Sequence, residues 1–241
     1  MKLTAFDDSL TKDPDIISLF HASTEVVNSP RWDYKSLKRI RENRDFGTGF
    51  YCSDGEIYPM YLYSGHDVVY MNQYLFNLSG LKVLKLGNDI KWLIVVACHR
   101  SNFTNFPKYH FLRDEVRRYL SSFDVVIGTV SDDNYYSVMD LFMRNLITDF
   151  VAIGVSQMMN FGMQFVTKSN LADSNFSFVS SYEVDSHVLL DYKLQYTRDR
   201  AAMEERVAAR MISLHGQDTG QFFMTILEDI GTDVENWLYA N

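Results

Sequence analysis

The sequence predicts an α+β protein: a mixed or antiparallel sheet core with flanking helices, followed by a C-terminal helical extension. Three observations point there. Short runs rich in Val, Ile, Leu, Phe and Tyr, each closed by small, polar or glycine residues, recur between residues 16 and 184. Among them lie longer stretches with apolar residues at helical spacing. From about Tyr192 the strand-like runs stop and an amphipathic pattern takes over. At 241 residues the chain is long enough to bury a real core.

Taken in order, IISLFHAS (16–23) reads as a buried strand ending in small polar residues. Residues 31–44 are polar and basic, a loop or short helix, and DFGTGFYCS (45–53) is a glycine turn entering a short strand. Residues 67–77 and 81–86 read as strands. Helical spacing appears over 88–101 through Ile90, Leu93, Ile94 and Ala97, and again over 108–121 through Phe111, Val116 and Leu120. FDVVIGTV (123–130) is a further buried strand, 134–146 and 148–160 are helices, and 163–167 and 177–184 are strands. In the tail, Met203, Val207, Met211 and Leu214 form one apolar stripe, Gly216 offers a stop, and 221–239 reads as a second, acidic helix. A boundary near 190 therefore divides a core domain, 1–190, from a helical tail, 191–241.

Composition excludes several classes. A net charge of −8 provides no global field for nucleic acid or an anionic membrane. The start, MKLTAFDDSLTKDPD, lacks the apolar stretch of a signal peptide, and Trp92–Cys98, the most apolar window, is too short to span a bilayer. A soluble cytoplasmic protein without membrane partners is expected. Two cysteines make no disulfide framework. Neither GxGxxG nor GxxxxGK[ST] occurs, and no histidine stands in a paired metal spacing, so no metal is expected.

Three segments carry the candidate chemistry: Leu19-Phe20-His21-Ala22-Ser23, Phe46-Gly47-Thr48-Gly49-Phe50-Tyr51, and Met163-Gln164-Phe165-Val166. In this order they resemble the histidine–tyrosine–glutamate branch of the ADP-ribosyltransferase superfamily, that of diphtheria toxin and the poly-ADP-ribose polymerases. More closely, the chain resembles a bacterial family of uncharacterised proteins related to these transferases and suspected of toxin roles. That likeness extends to LSGLKVLKL (78–86) and DVVIGTVSDD (124–133), spans roughly residues 16–180, and leaves the tail unexplained. It implies a split sheet and NAD as substrate, with nicotinamide released and ADP-ribose passed to a macromolecular acceptor, protein or nucleic acid. A neutralising partner protein would accompany a toxin. Hydrolysis of NAD by water and NAD binding without turnover are the alternatives.

Breaking the nicotinamide–ribose bond passes through an oxocarbenium ion, so the site must position nicotinamide, grip the ribose and stabilise positive charge. His21 can hydrogen-bond a ribose hydroxyl, and the resemblance implies that the backbone after it, at Ala22 and Ser23, holds the nicotinamide amide. A half-buried strand histidine is the plain alternative. Tyr51 offers a stacking face, and Gly47 and Gly49, beside Phe50, let backbone approach the ligand. A second stacking tyrosine is expected on the helix after this strand, where Tyr58, Tyr61 and Tyr63 are all candidates and the sequence does not choose among them. Gln164 occupies the place of the superfamily's glutamate; its amide can make the hydrogen bond but cannot supply the charge. Asp132 or Asp133 is expected to supply that charge, unless the pair merely caps the following helix. Arg31, Lys35, Lys38, Arg39, Arg41 and Arg44 stand against only Asp33 and Glu42, and Arg44 in particular is placed to clasp the pyrophosphate, the alternative being a solvated loop face. Arg113, Arg117 and Arg118 read as plain helix surface.

Overall fold

The computed structural model describes residues 13–33, 44–100, 107–131, 133–158, 162–217, 219–231 and 233–240. The strands are β1 (Ile16–Ser23), β2 (Phe50–Ser53), β3 (Tyr70–Asn77), β4 (Val83–Leu86), β5 (Val125–Thr129), β6 (Met163–Thr167) and β7 (Phe176–Glu183). The helices are α1 (Ile57–Tyr63), α2 (Ile90–Arg100), α3 (Pro107–Ser121), α4 (Asp133–Met143), α5 (Asp149–Ser156), α6 (Asn170–Ser174), α7 (Ser186–His215), α8 (Phe223–Ile230) and α9 (Val234–Tyr239). The fold is α+β, with a mixed seven-stranded sheet in the order β4-β5-β6-β2-β1-β3-β7. Only β4 and β5 run parallel; the other neighbours are antiparallel.

The sheet divides at its centre. β1 pairs with β3 along its whole length, from Ile16↔Asn77 to Ser23↔Tyr70, but meets β2 only at Phe20↔Ser53. On the other side, β2 pairs fully with β6, from Phe50↔Thr167 to Ser53↔Gln164. A three-stranded half and a four-stranded half thus touch at one point.

Strand alternation sorts side chains onto two faces. Leu19, Phe50, Cys52, Tyr74, Phe76, Val125 and Ile127 form the core on one face. The opposite face carries two clusters. Over the four-stranded half lies the main core, built on Phe46, α2 and α3, with Val126 and Val166 beneath. Over the three-stranded half, Phe20, Ala22 and Met71 pack on Met60 of α1 and Leu189 of α7.

Helix α2 is buried on all sides from Trp92 to His99, as its nearly unbroken apolar sequence requires. The expected tail stripe is present: Val207 and Leu214 are buried in the main core, and Met203 and Met211 pack against it. A side chain at Gly154 would meet Leu214 at 2.6 Å, so α5 and α7 pack closely. The expected second tail helix is two helices, α8 and α9, interrupted at Gly231 with φ +59°. No helix of the described residues is long and apolar enough to cross a membrane.

Candidate functional site

Antiparallel partners share a face, so Phe20, Ser53 and Gln164 point the same way and Tyr51, two residues from Ser53, points with them. His21, next to Phe20, points to the other face. Its ring lies 4.4 Å from that of Phe50, and its Nδ1 donates to the Tyr51 carbonyl (2.7 Å). The three resembling segments are therefore neighbours at the sheet's division, yet the His21 side chain does not share a cleft with Tyr51 and Gln164. That corrects the expectation of one shared cleft. The cause is local, since a strand histidine one residue beyond the pairing point falls on the opposite face.

Tyr51 is tied down. Its hydroxyl donates to the Gly47 carbonyl (2.6 Å) and accepts from the Phe46 N–H (3.1 Å), closing the 46–51 turn. Burial pushes its phenol well above the ordinary range. The Arg44 guanidinium stands 5.0 Å from its ring centroid, so the expected pyrophosphate clasp is a cation–π cover on the expected nicotinamide platform. Gly47 does take positive φ, +70°, but a side chain there would meet the His99 ring at 2.7 Å. Gly49 is needed for a different approach: a Cβ would meet Val166 at 2.4 Å and the Thr167 carbonyl at 2.6 Å. It lets β2 lie against β6. Phe50 is core, edge-on to Tyr74 and Phe176.

Ala22 is buried against α1, and the buried Ser23 accepts from Asn72 Nδ2 (3.0 Å) and donates to the Glu25 carbonyl. Tyr61 serves the tail. Its hydroxyl donates to Asp199 Oδ2 (3.0 Å), and its ring packs against Tyr192 and Tyr196. Burial, and then Asp199, push its phenol up to about 12. Asp132 and Lys35, Lys38, Arg39, Arg41 and Glu42 lie outside the described residues; Asp133 opens α4, its side chain likewise outside. Arg31 pairs with Asp33 at 3.2 Å on the surface.

The negative charge beside Gln164 comes from Asp45, which sequence reasoning missed. Asp45 is only 2 % exposed. It accepts from Gln164 Nε2 (2.6 Å), Arg100 Nε (2.5 Å) and the Ser131 N–H (2.9 Å). Gln164 Nε2 also donates to the Thr129 carbonyl (3.1 Å). Both partners are acceptors, so they fix the amide with nitrogen inward and Oε1 turned away. The available signal was chemical: an aspartate joined to the apolar Phe-Gly turn, and an arginine closing a buried helix, each require a counter-charge.

A second polar cluster stands at the other end of β6. The Lys168 ammonium donates to the Phe46 and Thr48 carbonyls, the latter at 2.6 Å, and burial brings it down to about 7. His99, buried under Gly47, donates from Nδ1 to the Val95 carbonyl (2.9 Å). Burial lowers it to about 3, with Lys168, Arg117 and Arg113 adding to the effect. Among the described residues no group of three His, Cys, Asp or Glu is placed to hold a metal, and both cysteines are buried and outside any disulfide.

With this geometry in view, the profile of one protein family matches residues 17–178, from β1 into β7. The chain belongs to that family, described as protein of unknown function (DUF3990). No curated protein and no solved structure matches the chain.

Proposed function

We propose that the protein binds NAD at the division of the sheet and cleaves its nicotinamide–ribose bond, as a cytoplasmic mono-ADP-ribosyltransferase acting on a macromolecular acceptor. The bond from ribose C1′ to the nicotinamide nitrogen breaks, nicotinamide leaves with the electron pair, and an acceptor nucleophile attacks C1′ and gives up its proton. An effector or toxin role, with a neutralising partner, fits this chemistry.

The observation that carries the reading is the Gln164 amide. Asp45 and Thr129 hold its nitrogen inward, which leaves Oε1 as an oriented acceptor beside Tyr51 and Ser53. Such an acceptor suits a ribose hydroxyl. A specific observation favours a second reading, binding without turnover: Gln164 is neutral, and the Asp45 charge beside it is already paired with Arg100 at 2.5 Å. A compensated charge stabilises an oxocarbenium ion less than a free one.

The test is incubation of the purified chain with NAD, with free nicotinamide measured against time and NAD binding measured by calorimetry. Turnover with label transferred to protein or nucleic acid supports the transferase, and turnover without transfer a glycohydrolase. Saturable binding without release supports the second reading. Neither binding nor release removes NAD from consideration.

A further inference from the structure

Beyond the C-terminal end of β6 the structure opens a cavity of about 590 Å3, a size ordinary for a small-molecule site. It lies at the opposite end of β2 and β6 from Ser53 and Gln164, since Phe50 pairs with Thr167 and the cavity begins at Lys168. The glycine turn, through Phe46, Gly47 and Thr48, forms one wall.

Its lining has a chemical bias. Lys168 and Arg117 line it together with His99, and none of the described lining residues is a carboxylate. In a chain of net charge −8, that local excess of cations is not a sample of the general surface. Two of the three Lys168 ammonium hydrogens are spent on the turn's carbonyls, and no described residue takes the third. Arg113, one helical turn from Arg117 on α3, has its Nε buried without a partner and adds to the same field at His99. His99 Nδ1 is occupied by Val95, so Nε2 is an acceptor suited to a hydroxyl. Trp32 also lines the cavity, held by its indole N–H to Asn170 Oδ1 (3.1 Å) and by its backbone N–H to Asp173 Oδ2 (2.8 Å). A fixed aromatic wall, an acceptor and two cations are what a planar base, a ribose and a phosphate would meet.

We propose that this cavity binds a nucleoside monophosphate, with its phosphate on Lys168 and Arg117, its sugar hydroxyls toward His99 and its base against Trp32. The inference does not rest on the NAD reading, because it uses none of the residues around Gln164. The occupied cavity would hold the 46–48 turn, and through the Tyr51 hydroxyl it would also fix the start of β2.

The experiment is calorimetric titration of the full chain with AMP, GMP, CMP and UMP, and with inorganic phosphate and adenosine as separate arms. At least one monophosphate binds at a single site, phosphate alone binds more weakly, and adenosine more weakly than AMP. Arg117→Gln, a half-exposed helix position that leaves the fold intact, weakens nucleotide binding about tenfold or more, the loss of one charged hydrogen bond. Lys168→Gln acts in the same direction but also touches the turn, so Arg117→Gln is the deciding variant. Trp32→Leu weakens the nucleotide and spares phosphate. The proposal is overturned if no monophosphate binds, if phosphate binds as tightly as every nucleotide, if adenosine equals AMP, or if Arg117→Gln binds like the parent. Nicotinamide release from NAD is a separate readout, and its absence leaves this test unchanged.

Discussion

The two ends of β6 carry polar groups in equal need of partners and treat them differently. At the Gln164 end, the carboxylate of Asp45 takes three donors, from β6, α2 and the segment after β5, and its charge is matched. At the Lys168 end, the cations line open space, and among the described residues the turn's carbonyls are the acceptors that Lys168 meets. Buried charge that is fully paired holds elements together, whereas clustered like charge beside a cavity is held at a cost to stability. The difference separates an end whose charge is already matched, leaving a neutral amide oxygen to offer a ligand, from an end whose charge is open, although one short strand joins them.

The largest effect should come from removing the matched charge. Asp45→Ala removes the counter-charge of the Arg100 guanidinium and one acceptor of the Gln164 amide, leaving buried positive charge uncompensated, and should lower stability by about 3–5 kcal/mol, measured by urea unfolding. A loss below roughly 1 kcal/mol would mean that the matched end is no more than an incidental contact. Next comes the wall of the open end. Gly47→Ala combines a positive φ with a Cβ 2.7 Å from His99 and should cost about 2–3 kcal/mol. Gly55→Ala, where a side chain meets nothing within 4 Å, is the control and should change little.

Sequence alone reached the elements further than it reached this contrast. The strands 16–23 and 163–167 are found at their expected residues, because alternating or continuous apolar runs bounded by turns leave little choice. Helix α7 was legible only through its stripe at 203–214; its first half, from Ser186, turns Leu189, Tyr192 and Tyr196 inward, but the exposed Leu190 and Leu194 beside them blur that face in the sequence. The Asp45 cluster was not legible, since its partners lie 55, 86 and 119 residues away and no local pattern joins them. For His21 the strand was clear but the face was not, because a period of two fixes alternation and only the single pairing Phe20↔Ser53 fixes its phase. Arg117 read as helix surface for a similar reason: the cavity it lines is assembled from α2, the turn and the segment after β6, all distant in sequence.

His99 gives a pH signature to the open end. Its folded pKa, about 3, lies below the ordinary value of 6.5, so the unfolded chain binds more protons between those limits. Stability is therefore intact above pH 6.5 and is lost as pH falls, by about 2 kcal/mol at pH 5 relative to pH 7. His99→Leu should abolish that part of the acid slope in urea titrations at pH 7, 6 and 5, whatever it does to stability at pH 7. If the slope persists unchanged in the variant, His99 is not the buried neutral base that the geometry requires.

The smallest effect tests the link between the two ends. Tyr51 belongs to the Gln164 face, but its hydroxyl spans the turn that walls the cavity, donating to the Gly47 carbonyl and accepting from the Phe46 N–H. Tyr51→Phe keeps the ring and the cation–π contact with Arg44 while deleting both hydrogen bonds, so it should lower stability by only about 1 kcal/mol. The informative readout is hydrogen exchange rather than the melting temperature. If the hydroxyl ties the turn, the amide of Phe46 loses protection in the variant, while the amides paired along β1 and β3 keep theirs. NAD binding, where it occurs, should then fall with the order of the turn, so that Tyr51→Phe weakens it as well as Tyr51→Ala. Full retention of NAD binding in Tyr51→Phe would instead assign the residue to stacking, and the link between the two ends of β6 would be broken. We expect the shared loss, because the ring face that stacking would need is already covered by Arg44 and the hydroxyl is the part of the side chain with two partners.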